Sequence, residues 1–492
     1  MIRLRDVLIG ANGAPGEGMA LPLPPDFLFP AIVIDSRQIT KDALFFALPG
    51  TATDGHAFIG QAAERGAACA VVRADWLAGV IAAGNPPPLP VITVPETLTA
   101  LQSLASWWRT LYPAPLVGVT GSVGKTSTKE LIATVLSRRY HVLRNPGNLN
   151  AITGMPLAVL GLTPDVQVAV VEMGLYDAGD IATMVKIAQP RIGVVTNIGV
   201  SHAERLGSQE ALIANKGDLV AGLPPDGCAI LNGDDLNVRG MRSRTTARVV
   251  TYGLNDDNDI RASDVESEGL SGIAFRLMLP GERVVRVRIP LLGRHSVHTA
   301  LAATAVAREF GLALPDILAG LEGGQTQLRL YTVPGPNGAI LIDDTYNSSP
   351  QSTLAALNLL EELDAPRRIA VLADMLELGV YEVDGHTHVG QRAAAVVDRL
   401  YTFGSRSVIT AEAATMAGMP KEHVVAFLPD GMDALARLLR SELRPGDVVL
   451  IKGSRGMHME TLVDALRAEA GPETDAASTD SASTMTCPGG QA

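Results

Sequence analysis

The sequence predicts an α/β protein of three domains in series, the middle one with a phosphate-type loop on a mostly parallel sheet and the last a doubly wound, Rossmann-like unit. Three observations carry this. At 492 residues the chain exceeds one ordinary core, and about 150 residues per domain gives about three. Short runs rich in Val, Ile and Leu alternate with helix-compatible segments, the pattern of sheets joined by helical crossovers. Glycine-rich turns follow several of these runs, above all at residues 120–130, TGSVGKTSTKE.

Composition excludes several classes. With 47% hydrophobic and 19% charged residues the chain reads as globular and not disordered. A net charge of −12 argues against a nucleic-acid surface, so any phosphate-bearing ligand must meet local basic groups. Cys69, Cys228 and Cys487 are scattered, with neither metal-ligand spacing nor a disulfide framework, which fits a reducing cytoplasm. The amino terminus, MIRLRDVLIGANG, lacks a signal-peptide core and no apolar span reaches membrane-helix length, so neither targeting nor membrane association is expected.

In the first region, residues 1–112, β-type runs at 31–35, 44–48, 69–72 and 91–94 predict a small α/β unit. Ser36 and Arg37 lie in DSRQ between the first two. An arginine beside a hydroxyl can hold a diphosphate by forked hydrogen bonds, or sit on the surface with no such role. The stretch DGHAF, 54–58, reads as a turn, and SWWRTLYPAP, 106–115, as a helix end followed by a linker.

The second region, 113–327, opens with an apolar run that breaks at Gly121, turns through Gly124 and resumes as a helix. Glycines let backbone N–H groups approach phosphate oxygens, so Gly121, Ser122, Val123, Gly124, Lys125, Thr126 and Ser127 form the candidate phosphate loop. Lys125 can neutralise the β/γ end and the Thr126 hydroxyl can ligate magnesium. The spacing is GxxGKT, shorter than the common form, and alone fits an ordinary strand-to-helix turn equally well. Asn148 and Asn150, in a turn-rich stretch, suit helix capping as readily as ligand binding. The run 166–174 ends on Glu172, a strand-end carboxylate placed to serve as a magnesium ligand. The run 192–197 leads to His202, and a lone histidine is more often structural. Three runs ending in Lys125/Thr126, Glu172 and His202 would nonetheless converge on one rim of a parallel sheet. Lys216 follows, able to neutralise phosphate. A hairpin is expected from GIAFRLML and VVRVRIP, one face of the second strand basic and solvated. His295 then leads into an alanine-rich helix.

In the third region, Arg329 precedes AILIDDTYNSSP, 339–350, a strand ending in Asp343 and Asp344 with a helix start near Ser352. Further strands are expected at 368–374, 399–404 and 447–456. The only glycine cluster near a strand end there, KGSRG, is no GxGxxG fingerprint, so a nicotinamide dehydrogenase lacks sequence support. Residues 471–492, small and polar without an aromatic, are expected to be a disordered tail exposing Cys487.

With these residues in view, the chain resembles the Mur ligases, the ATP-dependent amide-forming enzymes of peptidoglycan synthesis, over nearly everything except the tail. The resemblance rests on the GxxGKT loop, on Glu172 in EMG and on His202 in NIGVSHAERLGS. It implies magnesium, two ions, held by Thr126, Glu172, His202 and Lys216, the last carrying a carbamate, with Lys125, Lys216 and His202 as the catalytic set. Contacts to ATP would come from the loop and from His295, Arg329 and Asp344. DDTYNSSP, ADMLELG (373–379) and KGSRGMHME (452–460) are similar to motifs of the branch that adds D-alanyl-D-alanine. DSRQ and DGHAF are similar to its nucleotide-sugar domain. Ser36, Arg37, Asn148, Lys452 and Arg455 would therefore meet the substrates, UDP-N-acetylmuramoyl-tripeptide and the dipeptide.

The implied division is 1–112 for the UDP-sugar, 113–327 for ATP, 328–470 for the ligase domain and 471–492 for the tail, in a cytoplasmic monomer. The DNPR motif of the diaminopimelate- or lysine-adding branch is not found. Ser296 and Thr299 stand where the family has asparagines in GRHSVHT, Leu328 replaces a glycine, and LYDAGD replaces an Asn-rich or His-bearing turn. The alternatives are a sister ligase adding another amino acid, an inactive ATP-binding regulatory relative, and a P-loop GTPase or kinase.

Overall fold

The computed structural model describes residues 1–467 except 18, 51–52, 148, 200–205 and 324–330. Three of the expected site residues, Asn148, His202 and Arg329, lie outside the described residues, as do Cys487 and the tail.

Each region builds its own sheet. The first has five strands in the order Ala14–Pro15, Val91–Val94, Cys69–Arg73, Leu44–Phe46 and Ile32–Val33, parallel apart from the first. Alternation divides its side chains between two cores: Phe45, Ala70 and Val72 fill one face, and Leu44, Phe46, Val71 and Ile92 the other. The second core runs on without a break into the central region through the helix Thr97–Leu111. Trp108 Nε1 donates to Leu162 O at 2.9 Å and Arg109 Nε to Ala188 O at 2.7 Å. The helix end expected at 106–115 is thus clamped to the next sheet, and the short link expected after it runs from Leu111 to the strand at Leu116.

The central sheet has nine strands: Val285–Ile289, Ile273–Met278, Ile260–Ser267, Arg248–Gly253, Cys228–Asn232, Ile192–Val195, Leu116–Thr120, Val168–Glu172 and Val142–Arg144. All pairings are parallel except the one within the hairpin and the one that attaches it to Ile260–Ser267. The hairpin is as expected, but its face is not simply basic. Arg286 and Arg288 pair with Glu266, in Ile260–Ser267, and with Glu268 just after it, so acidic neighbours offset the charge. The alanine-rich helix, Ser296–Glu309, is buried over Val297 and nearly every residue from Ala300 to Ala307 and packs against Lys125–Leu136. Small side chains permit that close approach.

The third sheet is open, in the order Tyr331–Pro334, Ile340–Asp344, Val448–Lys452, Arg368–Ala373, Arg399–Phe403 and Val424–Phe427, parallel apart from its first strand. Helices such as Pro350–Glu362 cover its two faces, whose apolar side chains form separate cores. Ser349 caps that helix by accepting from Ser352 N, one turn from the expected start. Among the described residues no helix is long and apolar enough to cross a membrane.

Candidate active site

The register of the central sheet sets the site. Leu116–Thr120 lies between Val168–Glu172 and Ile192–Val195, with Glu172 beside Val119 and Val195 beside Thr120, so three strands deliver their carboxyl ends to one rim. The loop after Thr120 needs its glycines. Gly121 has φ +143° and Gly124 φ +81°, and a Cβ on Gly121 would lie 1.9 Å from Thr196 Oγ1. Gly124 caps the helix Lys125–Leu136 and carries no capping side chain, leaving an anion-attracting helix start at the rim.

Asparagines and threonines lace this loop to the neighbouring strand ends. Asn197 accepts from Val123 N and donates to Val123 O, both at 2.9 Å, and Thr196 Oγ1 donates to the same oxygen at 2.7 Å. Ser122 Oγ, buried, accepts from Gly199 N at 2.7 Å. Ser127 lies in the first turn of the helix.

Glu172 is fully buried. Thr126 Oγ1 donates to one carboxylate oxygen at 2.6 Å and Asn150 Nδ2 to the other at 2.7 Å, while Asn145 Oδ1 fixes Glu172 N at 2.9 Å. Among the described residues no lysine, arginine or histidine pairs with it. Burying a carboxylate among neutral donors is costly until a cation joins it, and the hydroxyl of Thr126 is a hard oxygen donor beside it, so these residues fit a divalent magnesium ion. No cluster of three or more His, Cys, Asp or Glu groups forms among the described residues.

Lys125 Nζ donates to Gly121 O at 2.9 Å and Ser122 O at 3.1 Å, and Lys216 Nζ reaches the same Gly121 O at 3.0 Å. Lys216, on the helix Gln209–Ala221, is fully buried. Burial, and then the nearby Lys125 cation, hold its amine well below the usual lysine range.

Two further pairs continue the site toward the third sheet. Asp344 and Lys452 are in register at the ends of adjacent parallel strands and form an ion pair at 2.6 Å. Lys452 is 2% exposed and also donates to Asn347 O at 2.9 Å. Its charge is therefore engaged by Asp344 and in closing the DDTYN turn. Arg455 is exposed, its guanidinium 5.7 Å from the Tyr346 ring centre. His295, exposed, caps Ser296–Glu309, with His298 and Lys452 as charged neighbours. His298 Nε2 meets Asp234 Oδ2 at 2.8 Å. Although partial burial opposes it, that bond, with N–H groups of Leu254 and Asn255, lowers the Asp234 carboxyl to about 2. Ser296 and Thr299 are buried in the same helix, Ser296 Oγ donating back to Leu292 O at 2.7 Å.

Ser36 and Arg37 stand apart from this cluster, on the first sheet. Ser36 Oγ is tied to Gln61 Oε1 at 2.5 Å, and the Arg37 fork is turned onto Asp35 at 2.8–3.2 Å, with 81% of its side chain exposed. DGHAF is a turn, as expected, with Asp54 accepting from His56 N at 3.0 Å.

Sequence reasoning missed Asn145, Asn197, Asp234 and His298, and left Asn150 undecided. A signal existed only for the first and last: Asn145 opens the turn-rich NPGN stretch, and His298 lies one turn along the helix from His295.

Residues 29–108 match the Mur ligase family catalytic domain, 119–307 the Mur ligase middle domain, and 328–455 the Mur ligase glutamate ligase domain. The chain is 36% identical over 439 residues to the UDP-N-acetylmuramoyl-tripeptide–D-alanyl-D-alanine ligase of Bacillus subtilis, covering 88% of this chain and 92% of that one. To the ligase of the same name from Escherichia coli it is 34% identical, covering 90% and 94%. Among solved structures, MurF from Acinetobacter baumannii superposes with a TM-score of 0.81 at 28% identity over 94% of this chain and 98% of that one. MurF ligase from Thermotoga maritima in complex with ADP gives 0.74 at 25%, over 88% and 96%.

Proposed function

The chain belongs to the Mur ligase family, and from that premise we propose how its residues work. It is an ATP-dependent ligase that joins D-alanyl-D-alanine to UDP-N-acetylmuramoyl-tripeptide, giving the pentapeptide precursor of peptidoglycan, ADP and phosphate. The observation that carries the reading is the meeting, at the rim of the central sheet, of the loop lysine, the buried strand-end carboxylate of Glu172 and a second buried lysine brought in by the helix Gln209–Ala221.

A carboxylate is a poor electrophile, so it must first be activated. A terminal carboxylate oxygen of the tripeptide attacks the γ-phosphorus, the bond to ADP breaks, and an acyl phosphate forms. The dipeptide amine then attacks the acyl carbon, and phosphate leaves from the tetrahedral intermediate with the carboxylate oxygen. The loop from Gly121 to Ser127 cradles the phosphates, and Lys125 turns from Gly121 O to the transferring group. Bound magnesium, two ions on this reading, offsets the phosphoryl charge; Thr126, Glu172, His202 and carbamylated Lys216 would hold it. His295, Arg329 and Asp344 face the nucleotide, and Ser36, Arg37 and Asn148 the UDP-sugar, Arg37 exchanging Asp35 for the diphosphate. Closure about the segment after Asp344 excludes water from the acyl phosphate. The domains divide at 1–112, 113–327 and 328–470, and the protein works as a cytoplasmic monomer.

The test is the reaction itself. Purified protein with ATP, magnesium and both substrates should release ADP and form pentapeptide only when D-alanyl-D-alanine is present. No product, or equal product with diaminopimelate, lysine or D-glutamate as amine, would refute the reading.

A further inference from the structure

The helix that follows the phosphate loop carries a further lysine, which the reaction described above leaves unused. Lys129 lies on Lys125–Leu136, one turn beyond Lys125 and Thr126 and on their face of the helix. It is fully buried. Burying an ammonium is costly unless acceptors surround it, and an apolar side chain of similar length would fill the same space without that cost. Two acceptors meet it, Asn145 O at 2.7 Å and Glu130 Oε1 at 2.9 Å. Glu130 is held in turn from the surface by Arg144 at 2.6 Å.

What the cation grips points to its role. Asn145 is also fully buried, and its side chain turns to the end of the neighbouring strand. Its Oδ1 accepts from Glu172 N at 2.9 Å, while Nδ2 donates to Leu149 O at 2.8 Å and toward Glu172 O at 3.4 Å. The bond to Leu149 shapes the turn that delivers Asn150, whose Nδ2 donates to Glu172 Oε1 at 2.7 Å and whose main-chain oxygen accepts from Gly174 N at 2.7 Å. Thr126 holds the other carboxylate oxygen at 2.6 Å. One helix thus reaches Glu172 by two routes, directly through Thr126 and indirectly through Lys129, Asn145 and Asn150. Thr126 alone would leave the carboxylate free to swing about one oxygen; both routes together fix its plane.

We propose that Lys129 is a positioning residue for the divalent ion: by clamping Asn145 it holds the Glu172 carboxylate in the orientation that accepts magnesium. The inference rests on the reading of Glu172 as a magnesium ligand and adds what aims it. Magnesium tolerates little departure from octahedral geometry at about 2.0–2.1 Å, so a carboxylate freed to rotate binds it less well. A lysine that merely tied the strand Val142–Arg144 to the helix would contribute stability and leave ion binding as it was.

The test follows manganese, a paramagnetic stand-in for magnesium, as it binds the protein in the presence of ADP, together with the magnesium dependence of ligation. Lys129→Met should weaken manganese binding by about 10-fold or more, the range for groups that orient a metal ligand without touching the ion. It should raise the magnesium concentration for half-maximal rate by a similar factor and leave KM for the dipeptide unchanged. Lys129→Gln, which keeps an N–H for Asn145 O, should fall between, and takes its place in the test where Lys129→Met does not fold. Asn145→Ala should match Lys129→Met, and the double variant should weaken binding no further than the larger single change. Arg144→Ala, which removes only the outer ion pair, should bind manganese as the unmodified protein does. If the variants at Lys129 melt lower but bind manganese as tightly as the unmodified protein, or if the losses in the double variant add, the assignment is overturned while the ligase reading stands. No manganese binding by the unmodified protein would overturn the assignment together with the role of Glu172. Absence of pentapeptide product from the unmodified enzyme, with the manganese differences intact, would overturn the ligase reading alone.

Discussion

Replacing Gly121 by alanine tests the phosphate loop, and the structure sets both the size and the origin of the effect. The left-handed backbone at φ +143° costs about 1–3 kcal/mol with any side chain. The new Cβ would lie 1.9 Å from Thr196 Oγ1, so that hydroxyl must rotate away and give up its 2.7 Å bond to Val123 O, about 1 kcal/mol more. The total is roughly 2–4 kcal/mol. Gly124→Ala is the control: its φ is +81°, but nothing lies within 4 Å of the added Cβ, so only a backbone cost of about 1–2 kcal/mol applies. Because Gly121 O receives both Lys125 and Lys216, a shift of this peptide misplaces two side chains of the proposed site, and kcat/KM for ATP should fall about 100-fold. Thermal unfolding and ATP-dependent kinetics of Gly121→Ala, Thr196→Ala and the double variant measure this. Thr196→Ala removes the obstructing oxygen, so the double variant should be less destabilised than the sum by about 1 kcal/mol. Additive losses, or equal losses for Gly121→Ala and Gly124→Ala, would refute the steric account.

Three other outcomes follow from the same geometry. Glu172→Gln should keep its bonds to Thr126 and Asn150 by turning the hydroxyl and the amide, and so melt near the unmodified protein, yet lose about 100-fold or more in activity and shift the magnesium titration; unchanged magnesium dependence would contradict its role. Asp234 titrates at about 2 when folded against an ordinary 3.8, so it contributes about 2 kcal/mol of stability that is present above pH 4 and lost as pH falls toward 2. Urea midpoints of Asp234→Asn should therefore fall below those of the unmodified protein at pH 6 and converge with them near pH 2. Lys452→Met strips the buried cation from Asp344 and should cost about 3 kcal/mol, while the double variant with Asp344→Asn should recover most of it in the same unfolding assay.

Much of the fold was legible because parallel strands buried on both faces read as short continuous apolar runs, and Val168–Glu172 and Ile192–Val195 are such runs. Ile260–Ser267 was not found, since its outward positions carry Arg, Ser, Asp and Glu and break the run. Tyr331–Pro334 and Val424–Phe427 are four residues each, too short to stand out beside strong helices. The loop, Glu172 and Lys216 were legible as residue types at strand ends or as family positions. What holds them was not. The amides of Asn145, Asn150 and Asn197 reach partners 22 to 74 residues away, and no local pattern encodes such a bond. Lys452 shows the same limit: its place in KGSRG is plain in the sequence, and only the strand register that sets it beside Asp344 shows that its charge is already paired.

The central claim is that a carboxylate is activated by phosphoryl transfer at the Gly121–Lys125 loop. It is tested most directly by ligating tripeptide labelled with oxygen-18 in its terminal carboxylate and weighing the phosphate released. The account predicts one labelled oxygen in each phosphate, matched mole for mole by pentapeptide and ADP. Unlabelled phosphate would show that water, and not the substrate carboxylate, takes the phosphoryl group, and would contradict it.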